Sequence, residues 1–299
     1  MLLKKCNDFV DLPASISCDF LYKLLGTERY PLVIDVRRDE LFNAAGHVLP
    51  AAKRARHTAL AITGQSKADL GDTFAQMSAG TARSVVIYCQ HGHNVGQMAA
   101  ASLRARGHNV AWLEGGISAW TTAGLPVVAR AVDEAARYGQ GMIWVTRRRP
   151  KIDRIACPWF VRRFIDPGAV FLYVEPEDVV HVANEIGGLS FDTPDAEVTH
   201  CGELCSFDSV LDRYAVTDPV LRQLADVVRG ADTGRPELAR ECGGLLTLSL
   251  GLSILERDDH VMLAKALPLY DALYAGLRFA SRETHSWPPD VVAASSGSI

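Results

Sequence analysis

The sequence predicts an α/β protein in which a parallel sheet with helices on both faces is followed by a mixed α/β, mostly helical region. Short apolar runs alternate with helix-spaced segments between residues 18 and 124, and this alternation is typical of a parallel sheet that is covered on both faces. A polar, alanine-rich connection at 129–141 separates this region from a second alternating pattern. From 210 to 281 the apolar residues recur mostly at helical spacing.

The first region contains three short apolar runs that predict strands: PLVIDV (31–36), SVVIYC (84–89) and NVAWLEGG (109–116). Three further segments have the apolar spacing of helices: CDFLYKLLGTE (18–28), NVGQMAAASLRARG (94–107) and ISAWTTAG (117–124).

The second region begins with a predicted strand, a helix and another strand: MIWVT (142–146), residues 153–165 and AVFLYV (169–174). Farther along, GGLLTLSLGLSIL (243–255) is apolar throughout but has only 13 residues. A membrane span needs about 20 residues, so we predict a buried core helix there and no membrane partner.

Length and composition predict a two-domain, cytoplasmic protein. The chain has 299 residues, more than one typical domain, and the connection places the predicted domains at 14–130 and 141–282. A net charge of −4 gives no overall attraction to nucleic acid. The seven cysteines are odd in number and lack the spacing of a disulfide framework, which favours reduced thiols. The two N-terminal lysines are not followed by the apolar run of a secretory signal.

The stretch YCQHGHNVGQMAA (88–100) is the strongest candidate site. Cys89 ends a predicted strand, and a helix begins about five residues later. Ligands bind at the carboxyl ends of strands in such sheets, and a helix N-terminus stabilises a thiolate. We therefore predict Cys89 as a nucleophile beside an anion-binding loop. The loop residues are Gln90, His91, Gly92, His93, Asn94 and Val95.

Two other interpretations of Cys89 stay open at this point. It could be an inert buried thiol, as many cysteines are, or a metal ligand together with His91 and His93. Side chains radiate outward from a tight loop whose amides converge, so three ligands within five residues would rarely meet one ion. We rank the metal interpretation below catalysis.

Four motifs in this region resemble those of the rhodanese family of sulfurtransferases, over most of residues 14–128. They are IDVR (34–37), GHV (46–48), CQHGHNV (89–95) and LEGGISAWTTAGLPV (113–127). The resemblance implies that Cys89 accepts sulfane sulfur as a persulfide and passes it on, with a small sulfur donor, a thiol acceptor and no cofactor. Many rhodaneses carry loop arginines where Gln90 and Asn94 stand here, so we expect weaker affinity for thiosulfate.

Asp35 and Arg37 of the IDVR motif are predicted as supporting residues. A strand-end ion pair that stabilises the loop neighbourhood is at least as good an interpretation as direct substrate contact. His47 of the GHV motif is more often a structural histidine than a catalytic base.

Seven basic residues lie within 147–163, against the single acid Asp153. This cluster could be a solvated helix face, an oxyanion pocket for a species such as chromate or sulfate, or a DNA contact surface. The segment 147–163 therefore predicts a site in the second domain, although the chemistry of that site stays open. Its residues are Lys151, Asp153, Arg154 and Cys157.

The segment HCGELCSFD (200–208) gathers residue types that bind transition metals. Cys201 and Cys205 have no second pair of similar form, so His200 and Cys205 are only weak candidate ligands for a metal ion in the second domain. Cys157 and Asp192 could complete a site if folding brings them close. Ordinary turn and core residues explain the segment equally well.

Three segments together resemble the C-terminal domain of the ChrB chromate-resistance family, over about 141–281: KIDRIACPWFVRRFID (151–166), HCGELCSFD and VVRGADT (227–233). The resemblance implies a role in the response to chromate. The leading hypothesis is a rhodanese-type sulfurtransferase that carries persulfide on Cys89. The alternative is a chromate- or metal-responsive transcriptional regulator with a non-catalytic rhodanese-like domain, whose basic segment contacts DNA.

Overall fold

A computed structural model describes residues 12–55, 84–130 and 141–280. The first region forms a five-stranded parallel sheet of order β1-β6-β5-β2-β4, beside a separate antiparallel pair, β3-β7. The strands are β1 (Ser15–Ile16), β2 (Leu32–Asp35), β3 (His47–Val48), β4 (Lys53–Arg54), β5 (Val85–Tyr88), β6 (Val110–Leu113) and β7 (Val128–Ala129). The three predicted strands are thus confirmed as β2, β5 and β6.

Four helices of this region are described: α1 (Cys18–Leu24), α2 (Asp39–Ala44), α3 (Asn94–Arg104) and α4 (Gly116–Thr122). The predictions of α1, α3 and α4 are confirmed, whereas α2 and the four two-residue strands were not predicted. Two residues are too few to show the alternation by which a strand is recognised.

Successive residues of the central strands point to opposite faces of the sheet. Ile87 and Cys89 pack with Ala100 and Leu103 of α3 on one face. Val86 and Tyr88 belong to the core on the other face, which holds α1 and α4. Helices therefore cover both faces of the parallel sheet, as predicted.

The second region contains a three-stranded parallel sheet of order β10-β8-β9, whose strands are β8 (Ile143–Arg147), β9 (Val170–Val174) and β10 (Leu189–Ser190). Six helices accompany it: α5 (Asp153–Phe160), α6 (Val179–Ile186), α7 (Ser206–Tyr214), α8 (Pro219–Asp232), α9 (Cys242–Leu255) and α10 (Asp259–Phe279). A π-helical turn (Val161–Ile165) continues α5, and two 3-10 turns lie at Pro176–Asp178 and Pro236–Leu238. The mixed α/β, mostly helical architecture is as predicted.

One hydrophobic core runs through both regions, because residues from α1 and α4 cluster with residues from α5 and α10. Asp271 of α10 is the polar centre of this junction. It accepts hydrogen bonds from Trp159 Nε1 (2.8 Å), from the Arg163 guanidinium (2.8 and 2.9 Å) and from the backbone N–H of Glu28 in the first region (3.1 Å). The orientation of Arg163 is therefore fixed by a carboxylate that also contacts the other domain.

The helix over 243–255 is confirmed as α9, but the prediction that it is buried is wrong. Leu248, Ile254 and Leu255 are 53%, 79% and 77% exposed. The helix is apolar on all sides, and only the side that contacts α8 and α10 is covered. Among the helices of the described ranges, none combines the length and the apolar character needed to cross a membrane.

We expect Asp271→Asn to lower the free energy of unfolding by about 3 kcal/mol, because it leaves the buried Arg163 guanidinium without its counter-charge. The control is Asp212→Asn, which removes an exposed partner of Arg222 and should change the same quantity by less than about 1 kcal/mol. Urea denaturation followed by far-UV circular dichroism measures both. Equal small losses in the two variants would contradict the role given to Asp271.

Candidate functional site

Cys89 follows β5 directly and lies on the face of the sheet that α3 covers. Its side chain is largely buried, with 6% of the residue exposed. Gly96, in the first turn of α3, lies beside the sulfur: a Cβ atom there would be 3.3 Å from Cys89 Sγ. The absence of a side chain at Gly96 therefore leaves room next to the thiol.

The loop after Cys89 is held by the N-terminus of α4. The N–H of Ile117 donates to the Cys89 carbonyl and the N–H of Ser118 donates to the Gln90 carbonyl, both at 3.0 Å. Helix N-termini carry unpaired N–H groups, and here two of them fix the loop backbone. The motif LEGGISAW thus positions the cysteine loop, although it contributes no side chain to the sulfur.

Two glycines allow this close approach of loop and helix. Gly92 and Gly116 have φ of +68° and +57°, a region that favours glycine. A Cβ atom on Gly92 would lie 2.5 Å from Gly115 N, and one on Gly116 would lie 2.3 Å from Cys89 O. Side chains at either position would push the loop away from α4.

The loop offers backbone amides rather than charged side chains. Within the part of the chain that the structure describes, the N–H groups of residues 90–94 donate to no protein acceptor. His91 and His93 are exposed, and the side-chain amide of Gln90 donates to Ser118 Oγ (3.0 Å). No metal-ligand cluster forms around Cys89 among the described residues.

Asp35 and Arg37 lie at the end of β2, and each is 1% exposed. Arg37 donates to Asp35 Oδ2 through Nε (2.9 Å) and Nη2 (2.7 Å). Tyr88, the residue before the cysteine, donates its hydroxyl to the same oxygen (2.7 Å). Burial and the charge of Asp35 raise the pKa of Tyr88, which keeps this donor protonated. Asp35 and Arg37 therefore form a buried ion pair that supports the end of β5, the strand directly before Cys89.

His47 lies beside the Asp35–Arg37 pair and contacts it through its backbone. Its backbone carbonyl accepts from Arg37 Nη2 (3.1 Å). Burial, followed by the charge of Arg37, lowers the pKa of the His47 imidazole.

A second group of polar side chains converges in the second region, and we call it the His200 cluster. Its centre is the Nε2 atom of His200, which lies 3.3 Å from Asp153 Oδ2, 3.3 Å from Asp192 Oδ1 and 3.5 Å from Asp232 Oδ2. Asp153 begins α5, Asp192 follows β10, and Asp232 ends α8. Asp153 and Asp192 are buried, with 1% and 3% exposed, whereas His200 reaches the surface.

Two arginines and a serine hold the Asp192 carboxylate at the edge of this cluster. Arg147 Nη2 donates to Asp192 Oδ2 (3.1 Å), and Arg154 Nε lies 2.9 Å from the same oxygen. Ser206 donates its hydroxyl to the other oxygen, Oδ1 (2.9 Å). Asp192 has a φ of +54°, so its backbone adopts a left-handed conformation that places the carboxylate here.

The proximity of these groups shifts their pKa values in opposite directions. The hydrogen bond to Asp153 raises the pKa of His200 to about 9. Burial, followed by the charges of Asp153 and Asp192, raises the pKa of Asp232 to about 7. Burial would raise the pKa of Asp153, but the hydrogen bond and charge of His200 outweigh it, so that pKa is lowered. Burial, followed by the charge of Asp153, raises the pKa of Asp192 as well. Asp153 is thus the carboxylate of the cluster that most strongly favours the charged form.

The predicted second-domain residues separate into two groups in the structure. Asp153, Arg154 and His200 lie in or beside the His200 cluster. Cys157 and Cys205 are buried thiols that are not among its converging ligand atoms. Burial is the first cause that raises the pKa of both thiols. Lys151 lies just before α5 and is half-buried. Cys205 lies at the N-terminus of α7, where its backbone N–H donates to Asp208 Oδ2 (3.1 Å).

Asp232 was not predicted as a site residue. It lies in VVRGADT, at the end of a helix whose other residues have ordinary apolar spacing. Its three partners stand 32 to 79 positions earlier. A single carboxylate at the end of a helix, with no His, Cys, Asp or Glu immediately beside it in the sequence, gives no local signal of metal or substrate binding.

Comparison with known proteins assigns both regions. Residues 17–123 match the model of the rhodanese-like domain, and residues 144–277 match the model of the ChrB C-terminal domain. The chain therefore joins a rhodanese-like α/β domain to a ChrB C-terminal domain.

One curated protein is similar to part of this chain. Protein ChrB of Cupriavidus metallidurans is 35% identical over 136 residues, which are 45% of this chain and 40% of that protein. The match thus spans less than half the length of this relative.

Two solved structures are similar to part of this chain. A rhodanese-related protein of Thermoplasma volcanium has 24% identity and a TM-score of 0.30, and covers 39% of this chain and 98% of its own. A rhodanese-like domain of the Anabaena protein Alr3790 has 22% identity and a TM-score of 0.32, and covers 44% and 87%.

We expect Gly116→Ala to displace the cysteine loop, because the new Cβ atom would collide with Cys89 O. The matched control is Gly124→Ala, since Gly124 also has a positive φ (+66°) but has open space around it. Gly124→Ala should lower the free energy of unfolding by only about 1–2 kcal/mol, which is the cost of a left-handed conformation in alanine. Gly116→Ala should lower it by more. The rate at which iodoacetamide alkylates Cys89, read by peptide mass spectrometry, should change in Gly116→Ala alone. Equal behaviour of the two variants would contradict the close packing of loop and helix.

Proposed function

We propose that this chain, in which a rhodanese-like domain is joined to a ChrB C-terminal domain, is a sulfurtransferase that carries sulfane sulfur as a persulfide on Cys89 and acts in chromate resistance. The supporting observation is the placement of Cys89 at the end of β5, before a loop whose amides have no protein acceptor in the described ranges. Such amides, together with the N-terminus of α3, stabilise a thiolate and a persulfide anion.

The reaction is a double displacement. The Cys89 thiolate attacks the outer sulfur of a donor such as thiosulfate, a new S–S bond forms, and sulfite leaves with the electron pair of the broken S–S bond. An acceptor thiolate then attacks the outer sulfur of the persulfide. Cys89 leaves as a thiolate, so the enzyme is regenerated and needs no cofactor.

The two domains give this activity its physiological setting. The ChrB C-terminal domain supports a role in chromate resistance. In the combined protein it would be an acceptor or sensing module for the sulfur on Cys89.

The arginines of 147–163 do not favour the alternative in which this segment contacts DNA. Arg149 donates to the carbonyls of Glu256 and Arg257 at the end of α9. Arg163 pairs with Asp271, and Arg147 pairs with Asp192. These guanidinium groups bind acceptors of the chain itself, whereas a DNA surface presents its cations to phosphate.

We expect the wild-type protein to gain the mass of one sulfur atom on incubation with thiosulfate or a small-molecule persulfide, and Cys89→Ala to gain none. Cys201→Ala is the matched control, because Cys201 is an exposed free cysteine outside the loop, and it should load like wild type. Intact-mass spectrometry before and after addition of a reducing thiol measures the loading. A wild-type protein that gains no sulfur from either donor would refute the proposed activity.

The loop lacks arginine, so an added cation should favour an anionic donor specifically. Asn94→Arg places a guanidinium at the first residue of α3, and we expect it to speed loading from thiosulfate by on the order of tenfold at low salt. Reaction with an uncharged organic trisulfide, in which attack of Cys89 on the central sulfur releases a thiolate and leaves an S–S–R group on the cysteine, should not change in rate. Met98→Arg is the control, because Met98 is an exposed residue one turn farther along the same helix. If both variants speed loading equally, the effect is general charge rather than charge at the loop.

A further inference from the structure

We infer that the His200 cluster is a binding site for a divalent transition-metal ion, with His200, Asp153 and Asp192 as ligands and Asp232 as a fourth. This site is independent of sulfur transfer at Cys89. The inference rests on where these four side chains lie, how deeply two of them are buried, and the one buried donor that is left without a partner beside them.

The potential ligand atoms converge on one point. One atom each from Asp153, Asp192 and His200 lies within 4.8 Å of the other two, and Asp232 Oδ2 is 3.5 Å from His200 Nε2. Within the described ranges, no other group of three such side chains converges in this way. The four residues come from four separate segments of the chain, so neighbouring positions in the sequence do not explain their meeting.

The shared nitrogen cannot satisfy the oxygens that face it. A histidine nitrogen carries at most one proton, while three carboxylate oxygens lie 3.3 to 3.5 Å from Nε2. Asp153, of which 1% is exposed, has no Lys or Arg within salt-bridge distance in the described part of the chain. A buried carboxylate is normally paired or coordinates a metal.

Like charges at this distance repel strongly unless a cation lies between them. Two unit charges 4 Å apart interact by about 4 kcal/mol at an effective dielectric constant of about 20. Of the two oxygens of Asp192, the nearby Arg147 and Arg154 approach Oδ2 and leave Oδ1, which lies next to His200, without a cation from an arginine. A divalent ion among the four ligand atoms would convert mutual repulsion of the carboxylates into attraction.

One unpartnered donor beside the cluster points to a further ligand. Arg147 Nε is buried and donates no hydrogen bond within the described structure, whereas Arg154 Nε lies 2.9 Å from Asp192 Oδ2. A water molecule or an anion on the exposed side of the ion could accept from Arg147 Nε. The Asp192 carboxylate already has the outer partners that orient metal ligands, since Ser206 donates to one oxygen and Arg147 to the other.

The donor set determines the class of ion. Carboxylate oxygens suit Mg²⁺, Ca²⁺ and Mn²⁺, and imidazole suits first-row transition metals. An oxygen-rich set with one imidazole therefore fits Mn²⁺ or Zn²⁺ better than a thiophilic ion. Cys205 is not among the converging side chains, so the bound ion should have no thiolate ligand.

The test uses the full chain and measures metal directly. Protein purified without chelator is analysed by inductively coupled plasma mass spectrometry, then stripped and titrated calorimetrically with Mn²⁺ and Zn²⁺. We expect one ion per chain and a rise in melting temperature when metal is added back. His200→Gln and Asp192→Asn should each weaken binding by about 10- to 100-fold or more, a loss that even outer-shell changes can cause.

Matched controls identify the site. His181→Gln alters an exposed histidine of α6, and Asp226→Asn an exposed aspartate of α8, the helix that ends in Asp232; both should bind like wild type. Cys89→Ala and Cys201→Ala should also keep the ion, and Co²⁺-loaded protein should lack a thiolate charge-transfer band. His200 is partly exposed, so circular dichroism of His200→Gln should show a folded protein.

Two results would overturn the inference. One is a wild-type protein that is isolated without metal and shows neither binding heat nor a shift in melting temperature with either ion. His200 would then be a protonated partner of the carboxylates. The other is unchanged titration in His200→Gln and Asp192→Asn, which would place any bound ion elsewhere. Sulfur loading on Cys89 is measured separately, so failure of one proposal leaves the other testable.

Discussion

Both sites of this protein depend on one constraint: a carboxylate that is buried at the carboxyl end of a parallel strand must be surrounded by fixed partners. Asp35 ends β2 and is held by Arg37 and by the Tyr88 hydroxyl. Asp192 follows β10 and is held by Arg147 and Ser206. Burial without such partners would be strongly unfavourable. The partners come from neighbouring strands and helices, so satisfying the carboxylate also fixes those elements.

In the first domain this constraint positions Cys89, the proposed nucleophile, indirectly. Tyr88 ties the end of β5 to Asp35, and the next residue is Cys89. On the other side, the N-terminus of α4 fixes the carbonyls of Cys89 and Gln90. The loop is thus held at its beginning by a buried ion pair and along its backbone by a helix. Its amides have no protein acceptor in the described ranges, so in the proposed reaction the stabilisation of the sulfur would come from dipoles rather than side-chain charge.

The second domain uses its charged residues for two purposes. Arg149 and Arg163 bind carbonyls and a carboxylate inside the protein, and Arg163 shares Asp271 with the backbone of the first domain. Asp153 and Asp192, in contrast, face a histidine that cannot satisfy both of them. The internal contacts of Arg149 and Arg163 hold parts of the chain together, and the two domains also share one continuous hydrophobic core. The second use of charged residues brings carboxylates together at one point, where we propose that a metal ion binds.

The sequence by itself determined the strands and helices that have a clear period, because burial on a sheet or helix face leaves a regular apolar pattern. It also determined the position of Cys89 between β5 and α3. The close approach of the loop to α4, which Gly92 and Gly116 allow, appeared only in the structure. Local pattern failed for α9, whose apolar residues do not reveal which side is covered; Ile254 and Leu255 proved to be exposed.

Only the tertiary structure decided the composition of the His200 cluster. Asp153, Asp192, His200 and Asp232 are up to 79 positions apart, and a sequence pattern records spacing along the chain rather than proximity in space. The structure also showed that Asp35 and Arg37 form a buried pair and that Arg149 and Arg163 have internal partners. The reason is the same in each case: the identity of a charged residue can be read from the sequence, but its partner is chosen by the packing of distant elements.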